Sequence, residues 1–201
     1  MLKLYEFALS GNCYKVRLIL SFLEMEYQRI AIEITKGESR TAEFLSINSN
    51  GKVPVLEIQD DNFLTESNAI LWYLATDTFL LPSSRLKQAE ILKWLSFEQS
   101  GHQPFLAGPR YWISILNAKE EYETQLNEKR PKGYAALDVM EKHLQNNDFF
   151  VGDNLSIADI SLYAYTHVAH EGEYNLSKYT AINHWIKRVE GTNNYITITQ
   201  V

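Results

Sequence analysis

The clearest candidate for chemistry is Ser10, in residues 9–13 (Leu-Ser-Gly-Asn-Cys) between a predicted strand and a predicted helix. Backbone N–H groups and the positive end of the helix dipole face such a turn, so an anion is favoured there. A serine in this position is also a common helix N-cap. The segment alone therefore fits either an anion-binding hydroxyl or a purely structural cap.

Two more segments place polar groups where an element begins. Residues 51–54 (Gly-Lys-Val-Pro) put a proline at the first residue of a predicted strand, and the bond before a proline is trans in most cases. Glu66 and Ser67 put a carboxylate and a hydroxyl at the start of a predicted helix, where simple capping and dipole compensation also explain them. Neither segment identifies a function by itself.

Short β-rich runs alternate with helical ones over the first 80 residues. The pattern predicts strands at 2–7, 27–33, 54–58 and 62–65, helices at 12–24, 41–47 and 67–76, and a turn at Asp60 and Asp61. This order, β-α-β-α-β-β-α, indicates a small mixed sheet covered by helices. The polar segments fall at the ends of these elements.

After Pro82 the strand signals disappear, and apolar residues recur every three or four positions, as is typical of amphipathic helices. A long helix is predicted from Ser84, with further helices at 118–128, 131–144, 156–170 and 180–190. Pro131 suits the first turn of a helix, because its missing N–H would have no partner there. The change near 78–83 predicts an α/β domain followed by an all-α domain.

One helix start in the second half is well defined. Ser156 has the properties of an N-cap, and Asp159 stands at the third helical position, where a carboxylate can bind back to the N-cap backbone. Leu155 and Ile160 flank this pair at the spacing of a hydrophobic staple. The pattern predicts a capping box that fixes the start of a buried helix.

Composition excludes several classes of function. The chain has 201 residues and a net charge of −6, the wrong sign for a protein that binds nucleic acid. Its longest runs without a charged residue, 99–109 and 160–170, are too short to span a bilayer, and Glu6 falls where a signal peptide needs a basic and then an apolar segment. Cys13 is the one cysteine, which excludes an internal disulfide. These features predict a soluble, cytoplasmic protein that does not bind a membrane.

Taken together, the polar segments resemble the glutathione transferase family. The resemblance rests on the serine-containing first turn with Lys-Val-Arg at 15–17, on 48–56 and 66–70, and in the second half on the box at 156–159 and on 185–189. It covers nearly the whole chain. It implies an α/β thioredoxin-like domain at 1–78, an all-α helical domain at 84–201, and a homodimer.

The family resemblance implies a glutathione site and no metal. The residues that it assigns to this site are Ser10, Asn12, Lys36, Lys52, Val53, Pro54, Glu66 and Ser67. Ser10 would donate a hydrogen bond to the glutathione sulfur and hold it as a thiolate. Val53 would bind the cysteinyl unit through its backbone N–H and C=O, which requires a cis Val53–Pro54 bond.

The same resemblance implies how the charges of glutathione are met. Glu66 would bind the γ-glutamyl ammonium, and the Ser67 hydroxyl with its helix N-terminus would bind the γ-glutamyl carboxylate. Lys52 and Lys36 would pair with the glycine carboxylate. A chain of net charge −6 needs such local cations to hold an anionic tripeptide.

A second substrate, an apolar electrophile, should lie between the first turn and the long helix around 99–112. The residues predicted to line its pocket are Leu9, His102, Phe105, Arg110, Tyr111 and Trp112. Aromatic side chains with a few polar groups are typical of ligand pockets, although the same aromatics fit the core equally well. Pro104 is expected to kink or break the helix at this point.

The predicted activity is transfer of glutathione to an electrophilic small molecule, in detoxification. Two alternatives stay open: a non-catalytic interaction protein of the same fold, and a thiol reductase acting through Cys13, which burial of that thiol would oppose. Ser49 and Thr180 stand where the family usually has proline, so those turns are expected to be less rigid. His167 and His170 have no evident third partner, and no metal site is predicted.

Overall fold

The computed structural model describes residues 1–59 and 61–200. It divides into two compact units, one built from residues 1–76 and the segment that begins at Asn193, the other running from Asp77 to Thr192. The predicted turn at Asp60 and Asp61 falls partly outside the described residues, because Asp60 is not among them.

Four strands among the described residues form the sheet of the first unit, in the spatial order β2-β1-β3-β4. Their bounds are β1 Leu2–Glu6, β2 Tyr27–Ala31, β3 Val55–Gln59 and β4 Asn62–Thr65. β1 runs parallel to β2 and antiparallel to β3, which is in turn antiparallel to β4. Parallel neighbours need a crossover connection, and helix α1 (Gly11–Phe22) supplies it between β1 and β2.

Helix α1 is buried along nearly its whole length. Its apolar side chains Leu18 and Ile19 are 0% exposed, and their removal from water stabilises the unit. α1 packs against α3 (Ser67–Ala75), while the short α2 (Ala42–Ile47) lies between β2 and β3 in the chain. Polar groups at the start of α1 are thus carried by a helix that the core holds in place.

The last residues of the chain return to the first unit. Tyr14 Oη donates to the Ile196 carbonyl at 2.7 Å, and Arg17 Nη2 donates to the Ile198 carbonyl at 2.9 Å. The predicted ranges, 1–78 and 84–201, assigned this segment to the helical domain. It packs with the sheet unit instead, because α1 provides hydrogen-bond donors for its backbone carbonyls.

The regular structure of the second unit is helical. Its helices are α4 Arg85–Phe97, α5 Gln103–Arg110, α6 Glu123–Leu144, α7 Ile157–Thr166 and α8 Thr180–Glu190. A π-helical turn at Glu98–His102 separates α4 from α5, so the regular helix is interrupted just before Pro104, as predicted. α8 has the predicted bounds, whereas α7 ends at Thr166 rather than at residue 170.

The prediction that Pro131 begins a helix is wrong. Pro131 lies inside α6, which already starts at Glu123. The helix continues through the proline because its inner face is buried, with Leu126, Leu137 and Met140 at most 3% exposed. This burial outweighs the roughly 3 kcal/mol that an interior proline costs a helix.

The predicted fold class is confirmed. A mixed four-stranded sheet with helices α1 to α3 makes the first unit α/β and thioredoxin-like, and the second unit is all-α. Within residues 1–59 and 61–200, none of the helices combines the length and the apolar character that crossing a bilayer requires.

The predicted capping box at the start of α7 is also confirmed. The Ser156 backbone N–H donates to Asp159 Oδ2 at 2.9 Å, and Ser156 Oγ lies 2.8 Å from the same oxygen. The other oxygen, Oδ1, accepts from the Phe150 N–H at 2.9 Å and from Trp185 Nε1 at 3.0 Å. Asp159 therefore fixes α7, the preceding loop and α8 at one buried point.

Replacing the two capping residues should destabilise the protein to different extents. Ser156→Ala removes one cap contact and should lower the free energy of unfolding by about 0.5–2 kcal/mol. Asp159→Ala should cost more, because it leaves several buried donors without an acceptor. Urea denaturation measures both, with the exposed Ser83→Ala as control; equal losses in the two variants would contradict the central role of Asp159.

Candidate functional site

Ser10 lies in the turn between β1 and α1, directly before the first residue of the helix. Its backbone N–H donates to the Phe7 carbonyl at 2.9 Å. Its Oγ accepts a hydrogen bond from the Cys13 backbone N–H at 3.3 Å, so Ser10 is the N-cap of α1. Because the oxygen is the acceptor in that bond, the hydroxyl hydrogen is the part that a ligand would receive. The capping and ligand-binding roles are therefore compatible.

Cys13 is the buried neighbour of this turn, at 0% exposure. Its Sγ accepts a hydrogen bond from the Phe7 backbone N–H at 3.4 Å. Burial raises the pKa of the Cys13 thiol to about 12, and this effect is larger than the opposite effect of its hydrogen bonds with Ser10 and Phe7. Since the thiolate is the nucleophilic form, both the burial and the raised pKa oppose a nucleophilic role for Cys13 at neutral pH.

Glu66 and Ser67 form the start of α3. Glu66 is exposed and has φ 69° and ψ 112°, a conformation that few non-glycine residues adopt and that often accompanies a functional site. Ser67 is buried, and its Oγ lies 3.3 Å from Asn12 Oδ1. Lys15 Nζ donates to Ser67 Oγ at 3.3 Å and to Asn68 Oδ1 at 3.4 Å. The N-termini of α1 and α3 are thus joined.

Sequence reasoning named Lys15 only as part of the 15–17 segment and gave it no role of its own at this site. It is 0% exposed, and its ammonium can only donate hydrogen bonds. Ser67 Oγ must therefore accept from Lys15, which turns the serine proton towards Asn12 or towards a ligand. The available signal was a lysine within an otherwise apolar stretch of α1, where a charged side chain needs fixed partners.

The loop before β3 is shaped by Asn48. Its Nδ2 donates to the Lys52 carbonyl at 2.7 Å, and its Oδ1 accepts from the Asn50 N–H at 3.1 Å. Gly51 has a φ of 59°, and a Cβ there would lie 2.8 Å from the Ser39 carbonyl oxygen, so the position requires glycine. Sequence reasoning gave Asn48 no individual role, although asparagine bonding to the backbone two residues on is a known turn signal.

Strand register brings three of the predicted segments to one end of the sheet. Tyr5 of β1 pairs with Val55 of β3, and Val55 pairs with Thr65 of β4. The Val53–Pro54 bond, which is cis as the resemblance implied, directly precedes Val55, the first residue of β3. Glu66 directly follows Thr65, the last residue of β4, and the first turn leaves β1 at the same end of the sheet.

Besides Val53, Pro54 and Glu66, the residues predicted for glutathione form two groups. Ser10, Asn12 and Ser67 lie at the joined N-termini of α1 and α3. Lys36 and Lys52 are exposed side chains, on the 3₁₀ turn after β2 and on the loop before β3. Their pairing with a carboxylate stays a prediction.

Two polar residues predicted for the electrophile pocket are buried in the helical unit. His102 Nε2 lies 2.9 Å from Thr166 Oγ1. Arg110 Nε donates to Glu171 at 2.8 Å, and both His102 and Arg110 are at most 3% exposed. Leu9, the pocket residue predicted from the first unit, is 40% exposed.

The aromatic residues predicted for the same pocket, Phe105, Tyr111 and Trp112, are half-buried. The Trp112 ring stacks on Tyr122 with centroids 4.7 Å apart, and the Phe105 carbonyl accepts from Tyr174 Oη at 2.7 Å. These contacts lie within the helical unit. A shared electrophile pocket stays a prediction for all six residues.

No group of three or more His, Cys, Asp or Glu side chains in the described part of the chain is placed to hold a metal ion. His167 Nδ1 lies 2.8 Å from the Tyr163 carbonyl oxygen, and its ring stacks on the Tyr163 ring at 4.4 Å. Burial lowers the pKa of His167 to about 4. The neutral ring therefore contributes to packing at the end of α7.

A thioredoxin-like α/β unit and an all-α unit in one chain define a class of two-unit proteins. The model of the glutathione S-transferase N-terminal domain matches residues 1–76, and that of the C-terminal domain matches residues 105–193. A relative, the disulfide-bond oxidoreductase YfcG of Escherichia coli, is 30% identical over 201 residues, covering 94% of this chain and 90% of YfcG. The chain belongs to the glutathione S-transferase family.

Solved structures agree with this assignment. The chain is similar to a possible glutathione S-transferase from Rhodopseudomonas palustris, with a TM-score of 0.98 and 44% identity over 100% of this chain and 91% of that chain. It is also similar to a glutathione S-transferase from Pseudomonas fluorescens, with a TM-score of 0.96 and 43% identity over 98% of each chain. Both likenesses cover the sheet unit and the helical unit together.

The environment of Cys13 leads to a chemical prediction. With its pKa raised to about 12 by burial, the thiol should resist iodoacetamide in the folded protein at pH near 8 and react fully once the protein is unfolded in urea. Mass spectrometry of both samples measures the modification. Rapid alkylation of the folded protein would contradict the burial of Cys13.

Proposed function

We propose that the protein is a glutathione transferase that activates the thiol of reduced glutathione and joins its sulfur to an electrophilic small molecule. The observation that carries the proposal is the joining of two helix N-termini through Asn12 and Ser67, at 3.3 Å, with Ser10 capping one of them. Helix N-termini favour negative charge. Two of the negative charges of glutathione, its thiolate and its γ-glutamyl carboxylate, would be met at these N-termini.

The remaining groups suit the rest of the tripeptide. The exposed Glu66 carboxylate would bind the γ-glutamyl ammonium, beside Ser67 and the N-terminus of α3 as the carboxylate site. The backbone of Val53 would pair with the cysteinyl unit. Lys52 and Lys36 would meet the glycine carboxylate as exposed cations.

The energetics limit what Ser10 contributes. Lowering a thiol pKa from about 8.5 to about 6.5 requires about 2.7 kcal/mol. A hydrogen bond to a charged group supplies about 1.5–3 kcal/mol, and a helix N-terminus about 0.3–1 kcal/mol. The same change reduces thiolate nucleophilicity about tenfold. Most of the acceleration must therefore come from holding the electrophile beside the sulfur.

In the proposed reaction the thiolate sulfur forms a bond to an electrophilic carbon, and the leaving group departs with its electron pair. The electrophile is an apolar small molecule held by the aromatic residues predicted above, here Phe105, Tyr111 and Trp112. A homodimer is the proposed working unit and the cytoplasm its proposed location. Light scattering of the purified protein tests the dimer.

A second candidate is favoured by the similarity to YfcG, whose name is disulfide-bond oxidoreductase. There the glutathione thiolate would attack a disulfide, forming a mixed disulfide and releasing one thiol. A second glutathione would then release the other thiol and leave as glutathione disulfide. Both candidate reactions need the glutathione thiolate beside the Ser10 hydroxyl. The buried Cys13 thiol would act as a nucleophile in neither reaction.

Ser10→Ala should retain glutathione binding and lose turnover. We expect a fall of about 10- to 100-fold, because the variant loses both the ionisation of the sulfur and its fixed position, and a displacement of about 1 Å can itself reduce a rate about 100-fold. Turnover is measured with chlorodinitrobenzene and with hydroxyethyl disulfide, which separate the two candidates. Ser83→Ala and Cys13→Ser should behave as the parent; parental turnover in Ser10→Ala would overturn the assigned role.

Glutathione binding should depend on the Glu66 charge. Isothermal titration with reduced glutathione is expected to show binding by the parent and a roughly tenfold or greater loss in Glu66→Gln, since one charged partner is removed. Glu26→Gln, an exposed carboxylate elsewhere on the same unit, is the matched control and should bind normally. If the parent binds no glutathione, the proposal fails and the non-catalytic interaction protein becomes the better interpretation.

A further inference from the structure

Arg17 joins two distant parts of the chain through a single nitrogen atom. Its Nη2 donates to the Ala8 carbonyl at 2.9 Å and to the Ile198 carbonyl at 2.9 Å. Ala8 lies in the turn that carries Ser10, and Ile198 lies near the end of the described chain. The Arg17 side chain is 0% exposed, so water does not compete for these bonds.

The segment 194–198, here called the C-terminal strap, is held along one face of α1. Ser21 Oγ donates to the Asn194 carbonyl at 2.6 Å, in addition to the bonds from Tyr14 and Arg17 described above. Residues 14, 17 and 21 are spaced by three and four positions, so they lie on the same face of the helix. The strap thus follows α1 towards the turn of Ser10.

The guanidinium of Arg17 is itself held by a buried ion pair with Glu6. Its Nε lies 3.4 Å from Glu6 Oε2, and the Glu6 side chain is also 0% exposed. Arg29 forms a second ion pair with Glu6 from the outer side. A planar guanidinium with a buried carboxylate partner has a defined orientation, so both of its carbonyl acceptors are held in place.

We propose that Arg17 is a positioning residue through which the C-terminal strap sets the place of the Ser10 hydroxyl. Arg17 holds the Ala8 carbonyl, and the Ser10 N–H closes the same turn onto the Phe7 carbonyl at 2.9 Å. A displacement of about 1 Å at a reacting centre can reduce a rate about 100-fold. The inference rests on the proposed function, because it concerns the serine that would hold the glutathione thiolate.

The test compares four proteins: the parent, Arg17→Met, Ile198→Asp and Arg29→Met. Ile198 is 8% exposed, so a charged side chain there should lift the strap away from Arg17 while the Arg17 side chain itself is retained. Arg29→Met is the matched control, since it removes another cation paired with Glu6. Within residues 1–59 and 61–200, the Arg29 side chain makes no hydrogen bond to the turn or to the strap. Glutathione affinity is measured by isothermal titration, and the pKa of the bound thiol by the ultraviolet absorbance of its thiolate.

Arg17→Met and Ile198→Asp should bind glutathione within about threefold of the parent, while the bound thiol pKa rises by about one unit and turnover falls about tenfold. Arg29→Met should match the parent in the thiol pKa. The double variant of Arg17 and Ile198 should change the thiol pKa and turnover no more than either single variant does, because the two substitutions break the same linkage. A loss of stability alone would not move the thiol pKa.

Amide hydrogen exchange at Ser10, measured by NMR without ligand, gives a readout that does not depend on catalysis. Exchange should increase in Arg17→Met and Ile198→Asp and not in Arg29→Met. If Arg17→Met does not fold, Ile198→Asp alone decides. Parental exchange and a parental thiol pKa in Ile198→Asp, or equal effects of Arg29→Met, would overturn the positioning role. A parent that fails to lower the thiol pKa contradicts the proposed function instead, and the exchange data then still decide the linkage.

Discussion

Three strands of the sheet end level with one another where Tyr5, Val55 and Thr65 pair across β1, β3 and β4. Ladder hydrogen bonds fix this register, and a slip by one residue would turn every side chain to the opposite face. The first turn, the cis Val53–Pro54 bond and Glu66 each lie one or a few residues beyond this level. Strand pairing alone therefore brings these three features to the same end of the sheet, and direct contacts among them are not required.

Burial of α1 gives this end of the sheet its rigidity. The helix carries two buried cations, Lys15 and Arg17, on a surface that would otherwise be apolar. Buried charges add little net stability even when they are paired, so their value lies in orientation. Lys15 orients the Ser67 hydroxyl at the start of α3, and Arg17 holds the Ala8 carbonyl beside the first turn. One helix thus fixes two hydroxyl-bearing segments through its own side chains.

Local patterns predicted what depends on local chemistry. The apolar period of α8 gave both of its bounds and the box at 156–159 gave the start of α7, because helix caps and apolar spacing act within a few residues. Pro131 was misread, since the packing of Leu137 and its neighbours overrides a local preference for helix starts. The return of the strap to α1 and the positive φ of Glu66 depend on partners far along the chain, and no short pattern records them.

The proposed function takes its reactive sulfur from a bound thiol and not from the protein's own cysteine. Cys13 occupies the first turn of α1, where burial raises the pKa of its thiol to about 12 and so opposes a nucleophilic role. Ser10, one turn earlier, presents a hydroxyl hydrogen without competing as a thiol. In the proposed function the sheet unit would hold the glutathione thiolate, and its residues would not select the target of that thiolate. The choice between a carbon electrophile and a disulfide would then depend on the groups around the bound sulfur. Phe105 and Trp112, half-buried aromatic residues of the helical unit, are the residues predicted to supply them.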